Sequence, residues 1–131
     1  MTRQALLSAL CGIALLVAPA ARAATIKPYT QAAYNAALQN GTPLVVHVEA
    51  SWCPTCKAQQ EVLKSLETDP RYAKVEILDV DFDAQKPVVQ QLHVQMQSTL
   101  IAYHDGTEAA RVTGITSKAD IERLLNYAVK G

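Results

Sequence analysis

Apolar positions fall into short blocks whose period changes along the chain. Leu44 to Val48 is β-branched and nearly continuous, as expected of a strand buried on both faces. Lys74 to Val80 reads as a second buried strand, and Thr25 to Lys27 as a short edge strand. Between them the spacing turns helical. Tyr29 to Asn40 places Ala33, Ala36 and Ala37 on one side and stops at Asn40-Gly41, a glycine C-cap, with Pro43 forbidding continuation. A second helix runs from about Cys53 to Leu66 with Val62, Leu63 and Leu66 inward, and Asp69-Pro70 breaks it. Asp83 to Leu92 has helical spacing at Val88, Val89 and Leu92, with Pro87 required in the first turn.

Further along, Thr99 to Tyr103 and Ala109 to Val112 flank His104-Asp105-Gly106-Thr107, a hairpin signal. Gly114 precedes a last helix, Ser117 to Val129. Ser117 and Asp120 there resemble a capping box, and Ile121, Leu124, Leu125 and Ala128 form the apolar face. The order is β-α-β-α-β-α-β-β-α. Alternation gives parallel pairs and the hairpin adds an antiparallel edge. The expected fold is α/β, a mixed central sheet of four to five strands flanked by helices on both faces.

The N-terminal block does not fit this scheme. Arg3 supplies a positive start, Ala5 to Ala18 an apolar run of 14 residues, and Ala21-Arg22-Ala23 an A-x-A site. Residues 1–23 therefore read as a cleavable signal peptide and 24–131 as one folded domain. The alternative is an uncleaved membrane anchor, for which the run is shorter than the roughly 20 residues a spanning helix needs. Cys11 lies inside the apolar run after bulky Leu10, a poor lipidation context. The expected location is the periplasm, or a membrane-anchored form facing it.

Composition narrows the functional classes. The full chain of 131 residues is neutral, with 12 basic and 12 acidic residues. Cleavage would remove Arg3 and Arg22, leaving ten basic against twelve acidic residues, a net of −2. Nothing here suggests nucleic acid or an anionic membrane surface as partner. Half the residues are apolar, enough for a core without metal or a disulfide framework. Cleavage also removes Cys11, so the mature chain keeps only Cys53 and Cys56. A lone vicinal pair fits catalysis better than the wider spacing of a structural framework.

Those two cysteines carry the chemistry. Ser51-Trp52-Cys53-Pro54-Thr55-Cys56-Lys57 stands between a strand and an amphipathic helix, and a CxxC delivered this way is a thiol–disulfide redox signal. Unpaired N–H groups and the helix dipole stabilise a thiolate at Cys53, lowering such a thiol from about 8.5 into roughly 3.5–7.5. Cys56, one turn further in, can attack a mixed disulfide formed by Cys53 and release the partner.

The order of elements together with Trp-Cys-x-x-Cys-Lys resembles the thioredoxin superfamily over essentially the whole mature chain. Leu44-Val45-Val46 leading to Ala50-Ser51-Trp52-Cys53 looks like the family's central strand and active-site entry. Thr99-Leu100-Ile101, Asp105-Gly106 and Val112-Thr113-Gly114 look like its later strands and closing glycine. The resemblance implies an exposed attacking thiolate at Cys53, a buried resolving thiol at Cys56, and Trp52 shaping the rim. It implies a substrate groove along Trp52, Pro54, Thr55, Ser98 and Thr99. It also implies protein disulfide or dithiol substrates, a membrane-bound redox partner that recycles the pair, a monomer, no cofactor and no resident metal.

Three positions depart from the family pattern. A cis-proline usually faces the CxxC, and the aligned residue is Ser98. A cis bond before a non-proline costs about 2.5–4 kcal/mol, so a trans Gln97–Ser98 bond and a different groove are expected, with the hydroxyl facing the sulfurs or forming part of a plain loop. The family's buried acid aligns with His47 and its paired lysine with Asp79. Either His47 accepts the Cys56 proton while Asp79 orients the ring, or it is a satisfied core histidine. Glu49 replaces an aromatic residue. It either raises the Cys53 pKa through like charge or is a solvated loop glutamate. Lys57 decorates the helix start with a modest electrostatic effect on Cys53. His93 and His104 read as a helix-end and a turn histidine.

The leading functional reading is an exported thiol–disulfide oxidoreductase using Cys53/Cys56 on protein substrates, with a reductase role favoured. The runner-up is a metal- or iron–sulfur-binding module permitted by loss of the cis-proline, with two chains needed to complete four thiolates. A vestigial adaptor is a weaker third reading, opposed by the intact motif. Potentials in the superfamily run from about −270 mV for thioredoxin to about −120 mV for the strongest periplasmic oxidant, roughly 7 kcal/mol for two electrons. Pro54-Thr55 belongs to neither extreme. The reducing lean rests on the minimal chain, which has no inserted helical domain.

Overall fold

A computed structural model describes residues 14–18 and 23–131. The start of the leader, Cys11 and most of the cleavage site lie outside the described residues. Leu15, Leu16 and Val17 are exposed. No helix among the described residues is long and apolar enough to cross a membrane.

Five strands form one sheet: β1 (Thr25–Pro28), β2 (Leu44–Glu49), β3 (Glu76–Asp81), β4 (Thr99–His104) and β5 (Thr107–Thr113). Their spatial order is β1-β3-β2-β4-β5; β1, β3 and β2 run parallel, β4 pairs antiparallel with β2, and β5 antiparallel with β4. Four helices cover it: α1 (Gln31–Asn40), α2 (Pro54–Leu66), α3 (Lys86–Gln91) and α4 (Lys118–Lys130). The expected mixed α/β sheet is what forms.

Strand alternation divides the core. Val45, Ile77, Leu100 and Ala102 face α2 and α4, meeting Leu63, Leu66, Ile121, Leu124 and Leu125. Leu44, Val46, Val48, Leu78, Val80 and Ile101 face the other way, onto Ala37 of α1 and Val89 of α3. β2 is central and closed on both sides, which is why its sequence is apolar at nearly every position. At the hairpin, Asp105 (φ 46°) and Gly106 (φ 79°) both take left-handed angles, as a two-residue turn between right-twisted strands demands. A side chain at position 106 would also meet the Leu38 carbonyl oxygen at 2.7 Å.

Two boundaries and one helix face differ most from the sequence reading. The expected helix from Asp83 shortens to Lys86–Gln91, because the Asp81 carboxylate accepts from the Asp83 and Ala84 amides and holds a turn there. Strand β3 starts at Glu76 and not at Lys74, since the Val75 amide is taken by the Tyr72 carbonyl at the end of the turn Pro70–Tyr72. Val62 is only partly buried; the inward face of α2 is Cys56, Gln59, Leu63 and Leu66.

Candidate active site

β2 ends at Glu49, and the chain crosses Ala50-Ser51-Trp52 before α2 begins at Pro54. Proline suits a first helical position, since its missing N–H would be unpaired there anyway. Cys53 is the N-cap, and its sulfur accepts from the Cys56 amide at 3.1 Å. The helix therefore aims an N–H and its positive end at that sulfur. Cys53 and Cys56 are joined as a disulfide, with Cα atoms 5.3 Å apart.

Access to the two sulfurs differs less than the family pattern implies. Cys53 keeps 5% of its surface and Cys56 1%. Cys53 alone of the pair lines a shallow cleft of about 350 Å³, with Glu49, Lys57, Gln60 and Lys64 around it. Both cysteines pack on Ala50 and Phe82. Trp52 is 58% exposed, and its indole N–H donates to Asp83 Oδ2 at 2.6 Å. That ties the ring of the residue before Cys53 to the turn after β3. Pro54 and Lys57 are exposed and Thr55 is half-buried.

Ser98 is 5% exposed and sits immediately before β4 with φ 61°. No cis peptide bond occurs among the described residues, so the Gln97–Ser98 bond is trans. Its N–H donates to the Val48 carbonyl at 2.8 Å, and its carbonyl accepts from the Gly114 amide and the Gln59 side chain. A proline could supply neither that donor nor that φ. Thr99 is buried, its hydroxyl donating to the Met96 carbonyl at 2.8 Å and lying 2.9 Å from that of Thr113.

Beneath α2 lies a buried polar chain. His47 and Asp79 are register partners on β2 and β3, and Nδ1 of the fully buried histidine is 3.1 Å from Asp79 Oδ1. Its Nε2 is 3.1 Å from Gln59 Oε1. Both ring nitrogens are thus engaged away from the sulfurs. Asp79 Oδ2 also accepts from Gln60 at 3.2 Å and faces a cleft of about 430 Å³. Glu49 lines the same cleft and the one beside Cys53. Burial, then the Asp79 carboxylate, pushes its carboxyl above the usual range, with Asp81 adding to the shift. His47, Glu49 and Asp79 bring their donor atoms within 4.8 Å of one another, the only such group among the described residues.

Two contributors were not foreseen. Asp83, which holds Trp52, lies 31 residues away in a turn, and no sequence signal marks it. Gln59 was legible in principle, since it stands three residues after Cys56 and four before Leu63, on the same helix face. His93 and His104 stay outside the site. His93 lies two residues past α3 with φ 54°, and His104 Nδ1 is 3.0 Å from the Ala128 carbonyl.

A redox-closed CxxC capping the helix that follows the central strand of such a sheet defines a thiol–disulfide oxidoreductase of thioredoxin architecture. The family model described as Thioredoxin matches residues 25–127, and the chain belongs to the thioredoxin family. It is 34% identical over 101 residues to a putative thioredoxin-5 of Dictyostelium discoideum, covering 76% of this chain and 93% of that one. It is 29% identical over 108 residues to a thioredoxin of Mycobacterium tuberculosis, covering 82% and 92%. Among solved structures, Trxlp from Edwardsiella tarda superposes with a TM-score of 0.75 at 40% identity, over 77% of this chain and 98% of that one. Malassezia sympodialis thioredoxin gives 0.71 at 18% identity, covering 86% and 96%, a likeness of fold.

Proposed function

We propose that the protein is an exported protein-disulfide reductase, recycled by a membrane-bound dithiol donor and acting as a monomer. The observation that carries the reading is the Cys56 amide directed at the Cys53 sulfur, with Cys53 lining an open cleft. In the reduced protein the Cys53 thiolate attacks a substrate disulfide. One substrate sulfur leaves as a thiolate, and the other is bonded to Cys53. The Cys56 thiolate then attacks the Cys53 sulfur, closing the Cys53–Cys56 bond and releasing the second substrate thiolate. Two electrons pass from protein to substrate, and the released sulfurs take up protons from water. The donor restores the dithiol by the reverse exchange. Export is supported by the leader pattern of residues 1–23, and the reducing direction by a chain that is one thioredoxin domain with nothing inserted.

The test is turnover of a protein disulfide by the pre-reduced protein, with the Cys53/Cys56 potential measured against glutathione. Cys53→Ser is expected to abolish turnover, and Cys56→Ser to accumulate a mixed disulfide through Cys53. A potential above about −150 mV would overturn the reducing direction.

A further inference from the structure

His47 and Glu49 lie two apart on β2 and so share a face of the sheet, and Asp79 stands opposite His47 on β3. Gln59, fully buried on α2, decides what the histidine can do there. Its amide nitrogen donates to the Ser98 carbonyl at 3.0 Å and to the Ile115 carbonyl at 2.8 Å, so its oxygen is the end that faces His47 Nε2. An amide oxygen only accepts, and Nε2 therefore carries hydrogen. In the neutral ring Nδ1 is then a lone pair, and it faces Asp79 Oδ1 at 3.1 Å. Two acceptors meet in a fully buried contact, and a cation between them resolves it. The spacing suits a metal ion. Donors about 2.1 Å from zinc stand about 3.4 Å apart at the tetrahedral angle and about 3.0 Å apart at a right angle. The surroundings suit one too. A histidine that ligates metal typically donates its other ring N–H to an oxygen, as His47 does to Gln59. Gln60 holds the second Asp79 oxygen at 3.2 Å and so orients the carboxylate.

We propose that His47 Nδ1, Glu49 and Asp79 form a site for a divalent metal ion of the zinc class, with its fourth position open to the cleft that Glu49 and Asp79 line. Imidazole with carboxylates is a donor set that zinc accepts, and three protein ligands with one open position is the form of a zinc site that exchanges a ligand. The three donor atoms already lie within 4.8 Å of one another. The His47–Asp79 spacing needs no change, and Glu49, half-buried at the end of β2, closes the remainder by turning about its side-chain torsions. The cleft is charged for a cation. Glu49, Glu67, Asp79 and Asp81 line it against Lys27 and Lys64, and Lys27 is engaged by Glu76 at 2.9 Å. Asp81 is not a ligand, because its Oδ1 accepts from the Asp83 and Ala84 amides. Burial, then the Asp79 carboxylate, opposes charge on Glu49, and an ion between the two carboxylates relieves that opposition. Neither cysteine takes part. The site is therefore distinct from metal or cluster binding at the CxxC, and it stands or falls separately from the disulfide chemistry.

The test is zinc binding by the intact chain with Cys53–Cys56 kept as the disulfide, which removes thiolates as competing ligands. Zinc chloride titrated into chelator-free protein is expected to bind at one ion per chain by calorimetry and to raise the melting temperature with concentration. Nitrogen-15 spectra of the histidine rings are expected to show Nδ1 of His47 moved by zinc while Nε2 keeps its hydrogen, with His93 and His104 unmoved. Glu49→Gln keeps the shape of the side chain but weakens its donor, and is expected to lower zinc affinity at least about tenfold. No binding at about 1 mM zinc would mean that the His47–Asp79 contact holds a proton only, and overturns the proposal. A zinc response at His93 or His104 in place of His47, or equal affinity in Glu49→Gln, overturns it as well. The ring spectra of the wild-type chain need no variant to fold.

Discussion

Glu49 sits where the two clefts meet, and its charge is opposed from several sides. Burial and the Asp79 and Asp81 carboxylates raise its folded pKa above the unfolded value of about 4.3. A raised carboxyl favours the protonated folded form. The associated stability is complete below the unfolded value and is lost as pH rises through the folded one. Glu49→Gln is therefore expected to melt about 2 °C above wild type at pH 7, with the difference vanishing below pH 4. Equal melting curves at both pH values would show that Glu49 is unstrained. The pairing of His47 with Asp79 was legible only through the family resemblance, which sets them at the family's buried acid and its lysine, and the register of β2 on β3 places them opposite one another. The role of Gln59 could not be read so easily. A glutamine in an amphipathic helix is expected at the surface; its spacing from Cys56 and Leu63 sets it on the inward face, but its carbonyl acceptors lie 39 and 56 residues away.

Elements were readable in kind and less so in extent. Helix α4 begins where the Ser117 hydroxyl accepts from the Asp120 amide, as its capping signature implies. Helix α3 is short because a side-chain turn at Asp81 competes with it, a contest that apolar spacing does not record. The segment before β4 illustrates the point best. Ser98 donates its amide to β2 and holds a left-handed backbone angle, so the segment is built for a residue with an N–H and a positive φ. Ser98→Pro restores the family's residue type but is expected to destabilise this protein by about 3 kcal/mol, since proline fixes φ near −65° and leaves the Val48 carbonyl unpaired. The urea midpoint reads that loss. A variant as stable as wild type would mean that the segment can adopt the family's usual arrangement at no cost.

At the scale of the molecule, alternating strands and helices announced the fold, and the CxxC announced its chemistry. The strand order β1-β3-β2-β4-β5 was not written in any local pattern, because it depends on which strands meet after the helices cross over. That order puts β2 at the centre, and the site draws on β2, β3, α2, the turn after β3 and the segment before β4. Its contacts span long separations, which is why the cysteines were legible and their surroundings only partly so.

One of those long contacts has a further consequence. The chain contains a single tryptophan, Trp52, held in place by Asp83 and adjacent in sequence to Cys53. A neighbouring disulfide quenches indole emission, and a ring that is anchored keeps its position whichever way the sulfurs are bonded. Fluorescence should therefore brighten on reduction and fade on oxidation, while Asp83→Asn, by loosening the anchor, should narrow the contrast. The protein carries its own optical gauge, one residue along the chain from the bond whose state it is expected to report.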